Sequence, residues 1–180
     1  MPTRTRIPCL AGAALVVALA ACGGGSSGPT STPTPAPTPT PCTQTTLVQE
    51  SGGIPDLTLL YDDFSVPDSG RLDVTLDWTV ASSPIGFYLV PANTCTLEEF
   101  NARTCNFVIR SETTTKPRKV STTITAGNYR WMIGNYSEDQ ESVSLLIALS
   151  KGSCPALGGV PAASERPDDT LPPIGRALHR

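Results

Sequence analysis

Apolar and polar residues alternate along much of the chain between residues 42 and 154. In the segment 71–80 every second residue is apolar, with Trp78 and Val80 on the same side as three aliphatic residues. A period of two is typical of an antiparallel strand with one buried face, so this face is expected to point inward and the opposite face, with Asp73, outward. Related patterns predict strands at 44–49, 57–61, 85–90, 106–110, 118–125, 129–134 and 143–149.

Turn sequences such as Pro67-Asp68-Ser69-Gly70 and Ser82-Ser83-Pro84 separate these segments. About eight short strands at this spacing predict an all-β fold, an antiparallel β-sandwich or jelly roll. One short helix is expected at 97–102, because Thr96 and Glu99 have the spacing of a capping box.

The N-terminal segment has a different pattern. Arg4 and Arg6 precede a continuous run of apolar and small residues at 9–21. A helix of this length rises about 20 Å, which is less than the roughly 30 Å hydrocarbon layer of a membrane. Residues 1–21 are therefore interpreted as a secretory signal peptide rather than a permanent membrane span.

The end of this run, Leu19-Ala20-Ala21-Cys22, resembles the lipobox of bacterial lipoproteins. The resemblance implies that the signal is cut before Cys22, that the Cys22 thiol carries a diacylglycerol group and that the new amino terminus is acylated. Two or three acyl chains anchor a protein stably in a membrane. Residue 23 is Gly rather than Asp, which by analogy with enterobacterial lipoproteins favours the outer over the inner membrane. The alternative is ordinary cleavage after Ala21, with an incidental cysteine.

Two further segments lack the strand pattern. Residues 22–41 contain the anchor and a linker of Gly and Ser followed by Thr-Pro repeats, which favour an extended polyproline II conformation. Residues 155–180 are rich in Pro and Gly and have no apolar period, which predicts a disordered tail. The expected folded domain is therefore 42–154.

Four cysteines lie in or beside this domain: Cys42, Cys95, Cys105 and Cys154. An exported chain meets an oxidising compartment, so an even number of cysteines is expected to pair. Three pairings exist. We favour Cys42–Cys154, which joins the two ends of the domain, with Cys95–Cys105, which closes a short loop around the predicted helix. A metal site is disfavoured because the cysteines lack Cys-x-x-Cys spacing and the single histidine is His179.

The strand sequences GRLDVTLDW (70–78), IGFYLV (85–90), ITAGNYRWMI (124–133) and SVSLLIAL (142–149) resemble the bacterial pre-peptidase C-terminal domain. The resemblance covers roughly residues 57–150 and implies a jelly-roll accessory domain that is not catalytic by itself. That family often has an acidic residue in its second strand, where this chain has Ile85-Gly86-Phe87. A ligand role tied to that acid is therefore not expected here.

Two sets of side chains are candidates for ligand binding. Asp62, Asp63 and Asp68 belong to an acidic run whose carboxylates are of the type that bind Ca²⁺, although a solvated strand face is the preferred interpretation, with no metal and no cofactor. Tyr88 and Tyr136 are candidates for an exposed aromatic surface, whereas the alternation assigns Trp78 and Trp131 to the core.

The functional expectation follows from these features and from charge. A formal net charge of -3 argues against a nucleic-acid partner. The Asp-Ser-Gly tripeptide of aspartic proteases occurs once, at 68–70, and no Ser-x-x-Lys motif is present, so no catalytic residues are assigned. We expect a lipid-anchored envelope protein with a non-catalytic binding or accessory module, whose partners are the membrane and an envelope protein or glycan. The alternatives are a carbohydrate-binding module and a small hydrolase.

Overall fold

The computed structural model describes residues 38–112, 115–155, 160–161 and 170–180, all within one folded unit that spans 38–180. The predicted signal peptide, Cys22 and the linker up to residue 37 lie outside the described residues. Within the described part of the chain, no helix is long and apolar enough to cross a membrane.

The domain consists of two five-stranded sheets, as the all-β prediction requires. The first sheet has the spatial order β1 (Thr43–Ile54), β8 (Glu141–Lys151), β3 (Gly70–Trp78), β6 (Arg118–Ile124) and β9 (Val160–Pro161). The second has the order β10 (Arg176–His179), β2 (Thr58–Val66), β7 (Gly127–Asn135), β4 (Ile85–Pro91) and β5 (Ile109–Ser111). Strand pairs are antiparallel except β6 with β9 and β2 with β10, which are parallel.

The main core lies between the sheets and is built from the inward positions that the alternation identifies. Trp78 and Trp131 are both buried in it, as predicted. Val80 is not, because β3 ends at Trp78 and the chain turns away from the sheet, which leaves Val80 49% exposed. Helix α1 (Leu97–Asn101) is capped as predicted, with the Glu99 amide donating to the Thr96 hydroxyl and the Thr96 amide to the Glu99 carboxylate.

The outward face of β3 is less open to solvent than the pattern predicts. Asp73 is 2% exposed, because β3 lies in the middle of its sheet between β8 and β6. Its carboxylate accepts hydrogen bonds from Arg71 at 2.9 and 3.0 Å, from Ser121 at 2.7 Å and from Ser150 at 2.6 Å. The expectation that Asp73 faces solvent is therefore wrong, and the neighbouring strands supply the donors that satisfy its buried charge.

Both favoured disulfides are present. Cys42 and Cys154 are 4.6 Å apart between Cα atoms and join the start of β1 to the end of β8. Cys95 and Cys105 are 5.4 Å apart and close the loop that contains α1. Two disulfides in a chain of this kind fit an exported protein, since such bonds persist in oxidising compartments.

The prediction of a disordered tail is wrong for residues 170–180, which the structure describes at the end of the chain. Residues 176–179 form β10, which runs parallel to β2 from Arg176 beside Thr58 to His179 beside Tyr61. A short edge strand of exposed residues carries no apolar period, so the pattern alone gives no sign of it. The folded unit accordingly extends past residue 154 to the last residue.

Candidate functional site

A second apolar layer covers the outer face of the second sheet. Strand β4 is buried on both faces, because residues from the loop around α1 and from the C-terminal segment pack on its outer side. Phe100 of α1 and Ile174 of the C-terminal segment are buried against Tyr88 and Met132 of the sheet. The Cys95–Cys105 disulfide holds this covering loop closed.

A cavity of about 370 Å³ opens within this layer, and we call it the tyrosine pocket. Aromatic rings, two arginines and one glutamate line one part of it, and residues 171–173 line another. The residues that carry its chemistry are Tyr88, Tyr136, Phe100, Phe107, Arg110 and Glu112.

Two glycines make room for the two tyrosine rings. Gly86 on β4 lies directly opposite Gly134 on β7, and each is followed two positions later by a tyrosine. A Cβ atom at Gly86 would lie 2.7 Å from Cε2 of Tyr88, and one at Gly134 would lie 3.0 Å from Cε2 of Tyr136. Real Cβ atoms essentially never approach other atoms as closely as 2.7 Å, and a contact at 3.0 Å is unusually tight. The absence of a side chain at these positions therefore lets each ring lie over its own strand.

Four polar groups form a hydrogen-bonded chain at the pocket. Tyr88 donates its hydroxyl proton to Glu112 Oε1 at 2.7 Å, and its oxygen lies 2.5 Å from the Tyr136 hydroxyl. Tyr88 has one proton, so Tyr136 must be the donor in this second bond. Arg110 donates from Nε and Nη2 to the two carboxylate oxygens of Glu112 at 3.0 and 3.2 Å. The Glu112 side chain is only 6% exposed, so these donors compensate a buried charge.

The environment keeps both tyrosine hydroxyls protonated. Burial raises the pKa of Tyr88 well above 10.0, and the neighbouring Tyr136 and Glu112 raise it further. Burial is also the largest cause that raises the pKa of Tyr136, to about 12. Neither hydroxyl ionises near neutral pH, so both remain available as hydrogen-bond donors.

Aromatic packing fixes the remaining wall of the pocket. The Tyr88 ring meets Phe100 edge-on with ring centroids 4.8 Å apart, and its centroid lies 5.5 Å from that of Phe107. The guanidinium of Arg110 lies 5.6 Å from the Phe107 ring centroid. These contacts restrain the side chains that carry the polar groups.

The structure brings Tyr88 and Tyr136 together but does not expose them as predicted. Their exposed fractions are 1% and 8%, because the loop around α1 and the C-terminal segment cover this face of the sheet. The prediction of an exposed aromatic platform is therefore wrong, and both residues instead line a pocket. The sequence interpretation missed Arg110 and Glu112, which lie at the short strand β5 with no distinguishing pattern. Gly-x-Tyr occurs at 86–88, 127–129 and 134–136, and the first and third of these supply the two pocket tyrosines.

Each of the three candidate calcium ligands has a basic side chain beside it. Asp63 accepts hydrogen bonds from Arg130 at 2.7 and 2.9 Å, which are the main cause that lowers its pKa. Asp68 lies 2.5 Å from Lys151 Nζ, and Asp62 lies 3.3 Å from His179 Nε2. Among the residues that the structure describes, no group of three or more His, Cys, Asp or Glu is arranged to hold a metal ion.

Comparison with known proteins gives little guidance. No protein-family model and no curated protein sequence matches the chain. Among solved structures, the chain is similar to the Yersinia pseudotuberculosis-derived mitogen, with a TM-score of 0.41 and 18% sequence identity over 61% of this chain and 97% of that one. Neither value is high enough to transfer a function from that protein.

Proposed function

We propose that the chain is an exported, lipid-anchored envelope protein whose β-sandwich domain is a non-catalytic module that binds a small ligand in the tyrosine pocket. The lipobox at Cys22 supports the anchor, and Gly23 favours the outer membrane. The two disulfides support export. The binding role is supported by the pocket itself.

The binding role rests on one observation, namely that the hydrogen-bonded chain of Tyr136, Tyr88, Glu112 and Arg110 lines the pocket. Ligand cavities typically measure roughly 300–1,000 Å³ and combine apolar walls with a few placed polar groups. The tyrosine pocket, at about 370 Å³, has this composition. The proton of Tyr136 is committed to Tyr88, so the Tyr136 oxygen is left with acceptor capacity for a ligand hydroxyl or amide.

The burial of the two tyrosines changes how a carbohydrate would have to bind. With Tyr88 and Tyr136 buried, a sugar ring would have to enter the pocket rather than stack on an exposed surface. A glycan array on the purified protein separates this alternative from a non-sugar ligand. Turnover of an ester, peptide or glycoside by the same preparation would instead support the small-hydrolase alternative.

The test is a thermal-shift screen with monosaccharides, amino acids and aromatic acids on three forms of the protein. Pro172→Trp places a bulky ring at an exposed residue that lines the pocket, and Lys119→Trp places the same ring at an exposed position on β6 of the other sheet. A ligand at 100 times its Kd adds about 2.7 kcal/mol to stability, which is readily seen as a higher melting temperature.

We expect such a shift in the wild type and in Lys119→Trp but not in Pro172→Trp. An equal shift in all three forms would place binding elsewhere. The absence of any stabilising compound, together with an empty glycan array, would contradict the binding function.

A further inference from the structure

The last residues of the chain bind to the domain as an extended peptide. Gly175 donates its amide proton to the Leu57 carbonyl at 2.9 Å and Arg180 donates to the Tyr61 carbonyl at 3.1 Å, on either side of the parallel β2–β10 ladder. The Asn101 side chain bonds to both backbone groups of Ile174, each at 2.9 Å. We call residues 174–180 the C-terminal peptide.

Side chains of this peptide contribute little buried surface. Ile174 is 3% exposed, but every residue from 175 to 180 is exposed. The peptide is therefore held mainly by backbone hydrogen bonds along the edge of β2 and by one apolar anchor. Edge segments of this kind open at low free energy compared with core strands.

The charges of the peptide are complementary to those of the surface beneath it. Its three basic side chains each meet an acidic one, and we call the acidic set Glu50, Asp56 and Asp62 the acidic edge. Arg180 Nε lies 3.1 Å from Glu50, and His179 Nε2 lies 3.3 Å from Asp62. Arg176 Nη2 lies 3.5 Å from Asp56, and its Nε donates to the Thr58 hydroxyl at 2.8 Å.

We infer that the acidic edge is a peptide-docking surface that accepts the C-terminal peptide of a second copy of this chain once its own peptide is released, so that two copies in this state exchange their peptides. Each of these contacts joins the peptide to the edge of β2, to Asn101 or to the acidic edge, and is reproduced when the peptide comes from another copy. Release of the peptide opens the edge of β2, and an open edge pairs with a matching strand. Exchange of an identical element between copies is a general route to a symmetric dimer.

The exchange would have a consequence for the tyrosine pocket. Leu171, Pro172 and Pro173 directly precede the C-terminal peptide and line the pocket. An exchanged peptide therefore brings these residues to the partner copy, so that each pocket is completed by the other chain. The docking inference itself does not depend on the proposed ligand function.

The experiment uses charge reversal in the full chain with Cys22→Ser, which prevents lipidation. The first variant carries Arg176→Glu and Arg180→Glu in the C-terminal peptide, and the second carries Glu50→Arg and Asp56→Arg in the acidic edge. In each variant the C-terminal peptide is repelled by the edge of its own molecule. When the two variants are mixed, both exchanged pairings are complementary in charge. A control chain with all four substitutions restores complementarity within one molecule.

We expect light scattering during size-exclusion chromatography to show a twofold higher mass in the equimolar mixture than in either variant or in the control chain. The dimer should dissociate in 0.5 M NaCl, because salt at this concentration screens exposed ion pairs. In each separate variant, hydrogen exchange at the amides of Gly175 and Arg180 should be roughly tenfold faster than in the wild type.

Two results would overturn the inference. One is a mixture that keeps the mass of the separate variants although hydrogen exchange shows that their peptides are released. The other is unchanged protection of the amides of residues 175 and 180 in both variants, which would mean that the charges do not hold the peptide on the acidic edge. Folding of each variant is verified by protection of the β3 and β8 amides, which lie in the first sheet.

Discussion

Among the individual side chains, Tyr88 connects three elements of the second sheet through one hydroxyl group. It receives a hydrogen bond from Tyr136 and donates one to Glu112, which in turn is bound by Arg110. These four residues lie on or next to three strands, β4, β5 and β7. The hydroxyl therefore joins the end of the short strand β5 to the centre of the second sheet.

Replacing each of the two tyrosines by Phe is expected to lower the free energy of unfolding by different amounts. Tyr88→Phe removes a donor from the buried Glu112 and the acceptor of Tyr136, whereas Tyr136→Phe leaves the bond between Tyr88 and Glu112 intact. Leaving buried polar groups without partners costs about 1–3 kcal/mol. We expect Tyr88→Phe to lower the free energy of unfolding by about 1–2 kcal/mol more than Tyr136→Phe, as measured by urea denaturation. An equal or greater loss in Tyr136→Phe would contradict the assigned direction of the hydrogen bonds.

The surroundings of Asp73 predict how the stability of the domain depends on pH in acid. Burial by itself raises the pKa of Asp73, but hydrogen bonds from Arg71, Ser150 and Ser121 outweigh it and hold the pKa below the usual 3.8. A carboxyl whose pKa is lower in the folded than in the unfolded state stabilises the fold at every pH above its unfolded-state pKa. This stabilisation is lost as the pH falls below about 4 and through the folded pKa.

The test replaces Asp73 by Asn. We expect about 2 kcal/mol less stability at pH 7, because Arg71 and two serines lose their charged acceptor, and a shallower decline of stability below pH 4 than in the wild type. Asp77→Asn is the control on the same strand, since the Asp77 side chain is 52% exposed and lies 3.5 Å from Lys116. That exposed pair contributes about 0–1 kcal/mol. Equal effects of the two substitutions would refute the role assigned to Asp73.

Among the strands and loops, the two disulfides act over very different distances. Cys42–Cys154 spans 112 residues of sequence and joins the outer strand β1 to its neighbour β8 at the end where the linker enters. Cys95–Cys105 spans 10 residues and restrains only the loop that covers the second sheet. In the chain-entropy treatment, the longer closure restricts the unfolded chain more strongly.

We therefore expect the pair of substitutions Cys42→Ser and Cys154→Ser to lower the free energy of unfolding by about 1–2 kcal/mol more than Cys95→Ser and Cys105→Ser. Denaturant unfolding of both double variants measures this difference. Peptide mapping of the unreduced protein should yield one peptide pair with Cys42 and Cys154. A crossed pair such as Cys42 with Cys95 would contradict both the pairing and the placement of β1 beside β8.

The elements differ in how well the sequence predicts them. Strands β1 to β8 and the helix lie in or beside segments predicted from alternation, turn residues and one capping box, because these local signals agree with the burial that the sheets impose. Strand β5 is the least well placed, since it begins at Ile109 and not at residue 106 as predicted. Strand β10 does not follow, because its stability comes from the backbone of β2 and from charges distant in sequence. The burial of Asp73, Tyr88 and Tyr136 likewise depends on which strands become central and which loops cover them.

For the molecule as a whole, the pocket and the proposed anchor belong to different parts of the chain. The domain begins next to the Cys42–Cys154 disulfide, where the Ser153 amide donates to the Thr40 carbonyl at 3.0 Å. The linker residues that precede this point contain Thr-Pro repeats, which favour an extended conformation at about 3.1 Å per residue. This sequence suits the proposed tethered binding module, in which Cys22 carries the lipid and the folded domain carries the pocket.

The proposed anchor predicts that Cys22→Ala releases the protein from the membrane fraction. The thiol of Cys22 is the acceptor of the lipid in the lipobox interpretation, and each buried CH₂ of an acyl chain contributes about 0.8 kcal/mol to membrane binding. Without these chains, we expect most of the protein to remain in the supernatant when membranes are sedimented after a salt wash. Ser26→Ala, in the adjoining linker, is the control and should sediment like the wild type. Thiol labelling of the released protein should show Cys42, Cys95, Cys105 and Cys154 still oxidised, which separates loss of the anchor from failure of export. If the Cys22→Ala variant is exported, oxidised, free of its signal peptide by mass spectrometry and still sediments with membranes, the lipoprotein proposal is wrong.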